Sequence, residues 1–275
     1  GIALASKLKN EGSVTAVFTG EGGTSEGDFH EALNIASVWD LPVLFCIENN
    51  GYGLSTPTTE QYRCKDLADR GAGYGMEAHI IDGNNILEVY EKISEIAESM
   101  RVEPRPVLVE FKTFRMRGHE EASGTKYVPQ ELMEEWQAKD PVINFENFLL
   151  EHKIISHDQI SEIKEKILLE INEHLDIANS EAIVSASLET ELNDVYANCN
   201  FEEVQPGSTT SELRFIDAIA ESVSESMERH PDLVLMGQDI ADYGGVFKIT
   251  DGLLHKYGKE RIRNTPICES ALVGA

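Results

Sequence analysis

Two short polar motifs, each directly after an apolar run, carry the residues of this chain that could do chemistry. The first is GEG at positions 20–22, after the run 14–19, and the second is NN at positions 49–50, after the run 42–47. A carboxylate and an amide offer the oxygen ligands that Mg²⁺ prefers, and magnesium usually takes further oxygens from phosphate and water. Glycines beside the acid let a phosphate approach the backbone. Together the motifs predict a magnesium ion that holds a diphosphate.

The elements that must position these motifs alternate between strand and helix over residues 1–140. Short apolar strands that alternate with helices predict an α/β fold, in which a mostly parallel sheet is covered by helices on both faces. The apolar patterns predict the strands Val14–Thr19, Pro42–Ile47, Glu77–Ile81 and Pro106–Phe111, and the helices Phe29–Val38 and Leu87–Met100. Ligands of such sheets bind beyond the carboxyl ends of the strands, and both motifs fall at such ends.

The glycine-rich motif also has a plainer interpretation. Taken alone, a glycine-rich turn that precedes a helix and carries a solvated acid explains GEG as well as a ligand site does. The placement of GEG at one predicted strand end, and of NN at the next, favours the cation site.

The middle of the chain predicts a helical segment followed by a linker. Within 141–197, Ser156 and Gln159 form a capping box that starts an amphipathic helix, whose apolar face we assign to packing. Residues 198–210 are polar and contain the turn-forming pair Pro206-Gly207, which indicates a linker.

Residues 211–275 predict the start of a second α/β unit. Apolar residues from Leu213 to Met227 recur at helical spacing. We predict a strand at Leu233–Met236, a loop at Tyr243-Gly244-Gly245 and a second helix at Lys248–Tyr257.

Composition excludes two classes of partner. The chain has 275 residues, of which 41% are hydrophobic and 26% charged, as in globular proteins. Its 23 Lys and Arg residues against 49 Asp and Glu residues give a net charge of −26. A surface this acidic repels phosphate backbones, and no apolar run approaches the roughly 20 residues that a membrane helix needs. We therefore expect neither nucleic acid nor membrane as a partner.

Cysteine usage favours a reducing compartment. The four cysteines have no paired metal-ligand spacing, and Cys46 lies in an apolar strand, where a buried thiol is the expected interpretation. With no secretory leader, we expect a cytoplasmic protein, or one of the mitochondrial matrix if it is eukaryotic. The chain opens inside a helical pattern and closes on an apolar segment without a stop signal, so we expect further protein on both sides.

The segment GEGGTSEGDFHEALNIASVWDLPVLFCIENN resembles the thiamine-diphosphate motif, and the wider sequence is similar to the first component of the 2-oxoacid dehydrogenase complexes. Residues 1–200 resemble the later two-thirds of its α subunit, and residues 211–275 the opening third of its β subunit. The resemblance implies a fusion of both subunits. It places a diphosphate-binding domain at 1–140, a helical tail at 141–197, a linker at 198–210 and the start of a pyrimidine-binding domain at 211–275.

The resemblance is strongest to the branched-chain members of this family. Pyruvate-type members usually carry Asp in the first motif, whereas branched-chain members carry Glu, as this chain does at Glu21. The segments NNGYGLSTPTTEQYR, ADRGAGYG and YGKERIRNTPICESALVG are also of the branched-chain type. The resemblance implies oxidative decarboxylation of a branched 2-oxoacid such as 2-oxoisovalerate, with thiamine diphosphate and magnesium as cofactors. The same chemistry on pyruvate is the alternative.

Individual roles follow from the resemblance, position by position. It implies that magnesium is bound by Glu21, by the side chain of Asn50 and by the backbone carbonyl of Tyr52. The residues that it places around the cofactor are Gly20, Gly22, Gly23, Arg115 and His119.

The resemblance also implies two catalytic residues. Glu269, in TPICES, matches the glutamate that hydrogen-bonds the pyrimidine ring and assists removal of the thiazolium proton. His119, in FRMRGHEEASG, matches a loop histidine that assists acyl transfer to lipoyl. The family's phosphorylated serine is Glu120 here, which argues against phosphorylation control at that position. Gln238 replaces a family glutamate, and we assign it no role.

The implied partners are the lipoyl-bearing acyltransferase component and further copies of the chain, because the family builds its sites across subunits. A non-catalytic fragment that serves as an interaction or scaffold piece is the alternative from another functional class. Binding of thiamine diphosphate with magnesium separates the two.

Overall fold

The structure is a computed structural model, and it describes residues 1–120, 122, 124–197, 199, 203, 205 and 207–275. This part of the chain forms two compact units. The first combines Gly1–Phe145 with Arg214–Ala275, and the second is Glu146–Leu213. In the described residues, no helix is both long enough and apolar enough to cross a bilayer.

The first unit contains the strands. They are β1 (Thr15–Gly20), β2 (Val43–Asn49), β3 (Tyr52–Gly53), β4 (Thr56–Pro57), β5 (Glu77–Asp82), β6 (Val107–Lys112), β7 (Leu235–Gly237) and β8 (Ile262–Asn264). A parallel sheet runs in the order β1-β2-β6-β5, and parallel β7-β8 and antiparallel β3-β4 form two small sheets. The predicted α/β fold with a parallel sheet is confirmed.

Helices complete both units. They are α1 (Ile2–Lys9), α2 (Gly27–Val38), α3 (Thr58–Gln61), α4 (Arg70–Gly73), α5 (Ile86–Val102), α6 (Gln130–Gln137), α7 (Pro141–Glu151), α8 (His157–Ser180), α9 (Leu188–Asn193), α10 (Phe215–Arg229), α11 (Leu253–Tyr257) and α12 (Glu269–Gly274). Short 3-10 turns lie at Gly23–Ser25, Leu67–Asp69 and Val246–Lys248.

The central strands β2 and β6 of the main sheet are buried on both faces, as their sequence pattern predicts, whereas most of β1 is exposed. On one face, Phe45, Ile47 and Leu108 pack with Leu33 of α2. The other face packs against α5. The residues buried between this face and α5 are Leu44, Cys46, Ile81, Ile96, Met100, Val107, Val109 and Phe111. Alternate residues of a strand point to opposite faces, so the two central strands β2 and β6 contribute to both clusters and read as nearly continuous apolar runs.

Two of the four cysteines, Cys46 and Cys268, are buried in the packed interior. Cys46 is only 2% exposed, and all four cysteines are free. Burial, with a smaller contribution from the charge of Glu48, raises the pKa of the Cys46 thiol to about 12. This thiol is therefore inert, and the prediction of a buried structural cysteine is confirmed.

One predicted helix is wrong in its extent. Instead of a continuous helix over Lys248–Tyr257, the chain forms the short turn Val246–Lys248 and then α11, which starts at Leu253. Phe247 and Lys248 have φ values of 59° and 63°. Left-handed backbone cannot be part of an α-helix, so helical side-chain spacing here did not produce a helix. The strand predicted at Leu233–Met236 is observed as β7, which begins two residues later and ends one residue later.

The second unit carries the long helix α8. Its predicted capping box is confirmed: Ser156 Oγ accepts the Gln159 backbone N–H at 3.3 Å, and Gln159 Oε1 accepts that of Ser156 at 3.0 Å. The apolar face expected to pack is about half exposed, for example 50% at both Ile167 and Ile171. Pro206 of the predicted linker lies outside the described residues, and the linker and domain boundaries stay predictions.

Candidate cofactor and metal site

Glu21 lies immediately after β1 and is almost completely buried, with 2% of its surface exposed. Its Oε2 accepts the backbone N–H of Asn50 at 2.9 Å. In the described part of the chain, no lysine or arginine forms an ion pair with this carboxylate. A buried carboxylate without a counter-charge is costly, so a bound cation is the partner that fits it best.

The second motif lies beside this carboxylate. Asn50 follows β2, and its Oδ1 accepts the Tyr52 backbone N–H at 3.2 Å, which folds the loop into a tight turn through Gly51, whose φ is 88°. Tyr52 is paired with Pro57 across β3-β4. Because Pro57 has no N–H, it does not compete with a cation for the Tyr52 carbonyl.

Glycines let the two motifs approach each other. A Cβ placed on Gly22 would lie 3.3 Å from the Gly53 Cα, and one on Gly23 would lie 2.5 Å from the Thr19 Oγ1. A Cβ on Gly20, in contrast, would meet nothing within 4 Å. The backbone is therefore tightly packed at residues 22 and 23 and opens onto free space at residue 20, an arrangement that a bound diphosphate would fill.

Arg115 connects the loop that follows β6 with the loop that follows β3. Its Nη2 donates to the Leu54 carbonyl at 2.5 Å and to the Tyr127 hydroxyl at 2.9 Å, and its Nη1 lies 3.4 Å from His119 Nδ1. The Tyr127 ring packs edge-on against Tyr52, with 5.6 Å between centroids. The structure therefore brings Arg115 and the exposed His119 to the loop that carries Tyr52.

Glu269 lies apart from this group. It is exposed at the first residue of α12, and the Gln238 side-chain amide donates to its Oε1 at 3.4 Å. Within the described residues, no hydrogen bond or ion pair connects Glu269 with Glu21, Asn50 or His119. The side chain faces solvent.

Helix α2, which follows the glycine motif, contacts the element that carries Glu269. Glu31 Oε2 accepts the backbone N–H of Ala271 at 3.0 Å, in the first turn of α12. Cys268, 1% exposed, packs into the core beside α2, and the Arg263 guanidinium lies 4.5 Å above the Trp39 ring. Sequence reasoning missed Glu31, since nothing local signals a hydrogen bond across 240 positions.

We expect Glu31→Ala to loosen α12. The Ala271 N–H then loses its acceptor at a helix N-terminus, where such a loss costs about 1 kcal/mol. Amide hydrogen exchange at 271–273 should accelerate about fivefold, while the amides of β2 stay protected. Glu31→Gln is the matched control because it keeps an acceptor oxygen. Equal exchange in all three proteins would contradict a role for Glu31 at this helix.

Comparison with known families decides the class of protein. Residues 1–187 match the family described as "Dehydrogenase E1 component". The chain belongs to this family. Residues 211–275 match a second family, described as "Transketolase, pyrimidine binding domain". Both matches together imply thiamine diphosphate as the cofactor of this E1-type chain.

Curated relatives of this E1-type chain act on several substrates. The α subunit of acetoin:2,6-dichlorophenolindophenol oxidoreductase from Bacillus subtilis is 39% identical over 61% of this chain and 50% of that protein. The 2-oxoisovalerate dehydrogenase α subunit from the same organism is 35% identical over 72% and 59%. The pyruvate dehydrogenase E1 α subunit of Rickettsia bellii is 29% identical over 66% and 58%. The chain spans about half the length of the curated relatives it matches.

Proposed function

We propose that this protein uses thiamine diphosphate and magnesium to decarboxylate branched-chain 2-oxoacids oxidatively and to pass the acyl group to a lipoyl-bearing acyltransferase. The observation that carries the proposal is the buried Glu21 carboxylate. No lysine or arginine of the described residues pairs with this carboxylate, which lies against the Asn50 loop. The chain that carries it belongs to the E1 family. Magnesium would supply the positive charge that Glu21 lacks, and the diphosphate would supply further oxygen ligands for the magnesium ion.

Some of the candidate residues would hold the cofactor, and others would move protons. The cofactor, when bound, supplies the carbon nucleophile and the electron sink for decarboxylation. Glu21, Asn50 Oδ1 and the Tyr52 carbonyl would hold magnesium, and the backbone of Gly20, Gly22 and Gly23 would line the diphosphate, with free space at Gly20. In the described residues, no three His, Cys, Asp or Glu side chains cluster as a metal site. Phosphate oxygens and water would complete the coordination shell.

The remaining proposed roles belong to Arg115, His119 and Glu269. Arg115, fixed by Leu54 and Tyr127, would orient His119 beside the cofactor, where the imidazole can give or take a proton during acyl transfer. Glu269 would hold a proton at the pyrimidine ring of the cofactor. Because these groups come from separate loops, each would contact a different part of the cofactor.

The assembly that we propose follows the two family matches. An α-like part that ends near residue 187 and a β-like part that starts at residue 211 support a fusion of the two subunits in one polypeptide. We further propose a homo-oligomer that docks the lipoyl domain of the acyltransferase and works in a reducing compartment such as the cytoplasm.

The choice of substrate rests on Glu21 and on the relatives. Besides the Bacillus subtilis protein, the 3-methyl-2-oxobutanoate dehydrogenase α subunit of Mycobacterium tuberculosis is 38% identical, over 54% of this chain and 41% of that protein. These values favour branched substrates over pyruvate. Acetoin is a second candidate, because the acetoin-oxidising relative is 39% identical.

We expect the intact protein to have a specificity constant at least about 10-fold higher for 2-oxoisovalerate than for pyruvate, since one or two extra methyl groups in an apolar pocket give that discrimination. Because acetoin has no carboxyl group to lose, the test is steady-state reduction of 2,6-dichlorophenolindophenol with 2-oxoisovalerate, pyruvate or acetoin as the electron donor. A preference for pyruvate or acetoin would reassign the substrate. Titration calorimetry that detects no magnesium-dependent binding of thiamine diphosphate would identify a non-catalytic fragment.

A further inference from the structure

A second buried acid, Glu110, lies in the middle of β6 and has no part in the roles described so far. It is 0% exposed, and its neighbours along the strand, Val109 and Phe111, are buried apolar residues. Replacing a buried charge by a well-packed apolar residue is often neutral or stabilising. The presence of an acid at this position therefore calls for an explanation other than stability.

The contacts of Glu110 point to the end of the neighbouring strand. Its Oε1 accepts from Asn49 Nδ2 at 2.6 Å, and its Oε2 accepts the Ala68 backbone N–H at 2.9 Å. Asn49 also donates to the Tyr62 hydroxyl at 2.9 Å, so its amide nitrogen has two acceptors and a fixed orientation.

Asn49 also forms hydrogen bonds with the loop that carries the expected ligands. Its Oδ1 accepts the Gly51 backbone N–H at 3.1 Å, and its carbonyl accepts that of Thr113 at 3.0 Å. Gly51 lies between Asn50 and Tyr52. A continuous chain of hydrogen bonds therefore runs from the buried carboxylate through Asn49 to the centre of this loop.

Glu110 has its counter-charge within the protein, whereas no lysine or arginine of the described residues pairs with Glu21. Lys112 Nζ lies 2.5 Å from Glu110 Oε1 and 2.8 Å from Asp66 Oδ1. Burial opposes the charge of Lys112, but the hydrogen bonds to Asp66 and Glu110 outweigh it and raise the pKa of the ammonium. Because its charge is already compensated, Glu110 is suited to hold other groups and not to bind a cation.

We propose that Glu110 is a positioning residue for magnesium diphosphate. Through Asn49 and Gly51 it holds the loop 50–52 so that the oxygens of Asn50 and Tyr52 face the Glu21 carboxylate. The identity of the ligand rests on the proposed function, but the coupling between Glu110 and the loop does not. Partners behind a metal ligand typically contribute about 10- to 100-fold to metal affinity.

The test compares Glu110→Gln with Val109→Ala in the intact protein. Glutamine has one acceptor oxygen, so it cannot serve both Asn49 and the Ala68 N–H. Val109 is the matched control because it is equally buried but points to the α5 face. We expect Glu110→Gln to weaken magnesium-dependent binding of thiamine diphosphate at least about 10-fold by calorimetry, with raised magnesium restoring it. Val109→Ala should lower the melting temperature and leave the affinity within about twofold.

Hydrogen exchange in the ligand-free protein gives an independent readout. The amides of Gly51, Tyr52 and Thr113 should exchange at least about 10-fold faster in Glu110→Gln and not in Val109→Ala. If wild type binds no thiamine diphosphate, the proposed function fails, whereas accelerated loop exchange still supports the coupling. Unchanged exchange together with unchanged affinity, or equal effects in both variants, would overturn the proposal.

A second variant covers a failure of Glu110→Gln to fold. Asn49→Ser breaks the same connection from the other side and should also accelerate exchange of Gly51 and weaken binding. Where both variants fold, their effects on affinity should be strongly non-additive, since they interrupt one pathway. Additive effects, or an Asn49→Ser protein with wild-type affinity and exchange, would contradict the proposal.

Discussion

Glu21→Gln is expected to abolish the stabilisation of the protein by magnesium and thiamine diphosphate. The amide keeps an acceptor for the Asn50 N–H but removes the charge that a cation requires. We expect magnesium-dependent cofactor affinity to fall at least about 100-fold, because a direct ligand is lost and not a supporting one. Calorimetric titration and the ligand-induced rise in melting temperature measure the effect.

The same substitution should act in the opposite direction on the ligand-free protein. A buried carboxylate without a counter-charge destabilises the fold, so Glu21→Gln should unfold at the wild-type temperature or higher. Glu21→Ala should lose the cofactor equally and also leave the Asn50 N–H without its acceptor. Glu26→Ala, at an exposed acid five positions away, is the matched control. If Glu21→Gln bound cofactor as wild type does, Glu21 would not be a ligand.

Glu269→Gln should slow the protein-assisted exchange of the thiazolium proton of bound thiamine diphosphate by at least about 100-fold, the usual contribution of a positioned acid or base. Glutamine preserves the size of the side chain and its contact with Gln238 but does not hold a proton as a carboxyl group does. Quenched-flow exchange in deuterated buffer, read by nuclear magnetic resonance, measures the rate.

Binding separates this chemical role from a structural one. Cofactor affinity should change less than about threefold in Glu269→Gln, because we propose that the magnesium diphosphate is held by Glu21 and the Asn50 loop. Glu260→Gln, which alters an exposed acid paired with Arg263, is the control and should exchange at the wild-type rate. A wild-type exchange rate in Glu269→Gln would remove Glu269 from the mechanism.

The main elements of the fold could be predicted because apolar periodicity determines them. Strands β2 and β6 are short apolar runs between polar turns. The parallel pairing of β1 with β2 brings the residues that follow these two strands to one edge of the sheet. The helix expected over Lys248–Tyr257 was wrong because a positive φ at Phe247 and Lys248 has no signature in side-chain hydrophobicity.

The supporting residues of the site were harder to find than the ligands. Glu110 does carry a signal, as a single acid inside the run PVLVEF, yet the run was assigned only as a strand. Acids are almost never fully buried unless they are paired, so such a residue on a strand buried on both faces merits a search for its partner. Glu31 carries no comparable signal, since it lies on an ordinary amphipathic helix.

By itself, the sequence determined the α/β class and the family, and it predicted oxygen ligands at the two strand ends, because these follow from local pattern and spacing. Only the tertiary structure decided which buried acid is compensated by the protein. Lys112 pairs with Glu110, whereas the Asn50 N–H is the only partner of the Glu21 carboxylate among the described residues. The physical reason is that Coulomb energy depends on the distance between charges and on their burial, and both are set by how separate strands and loops pack.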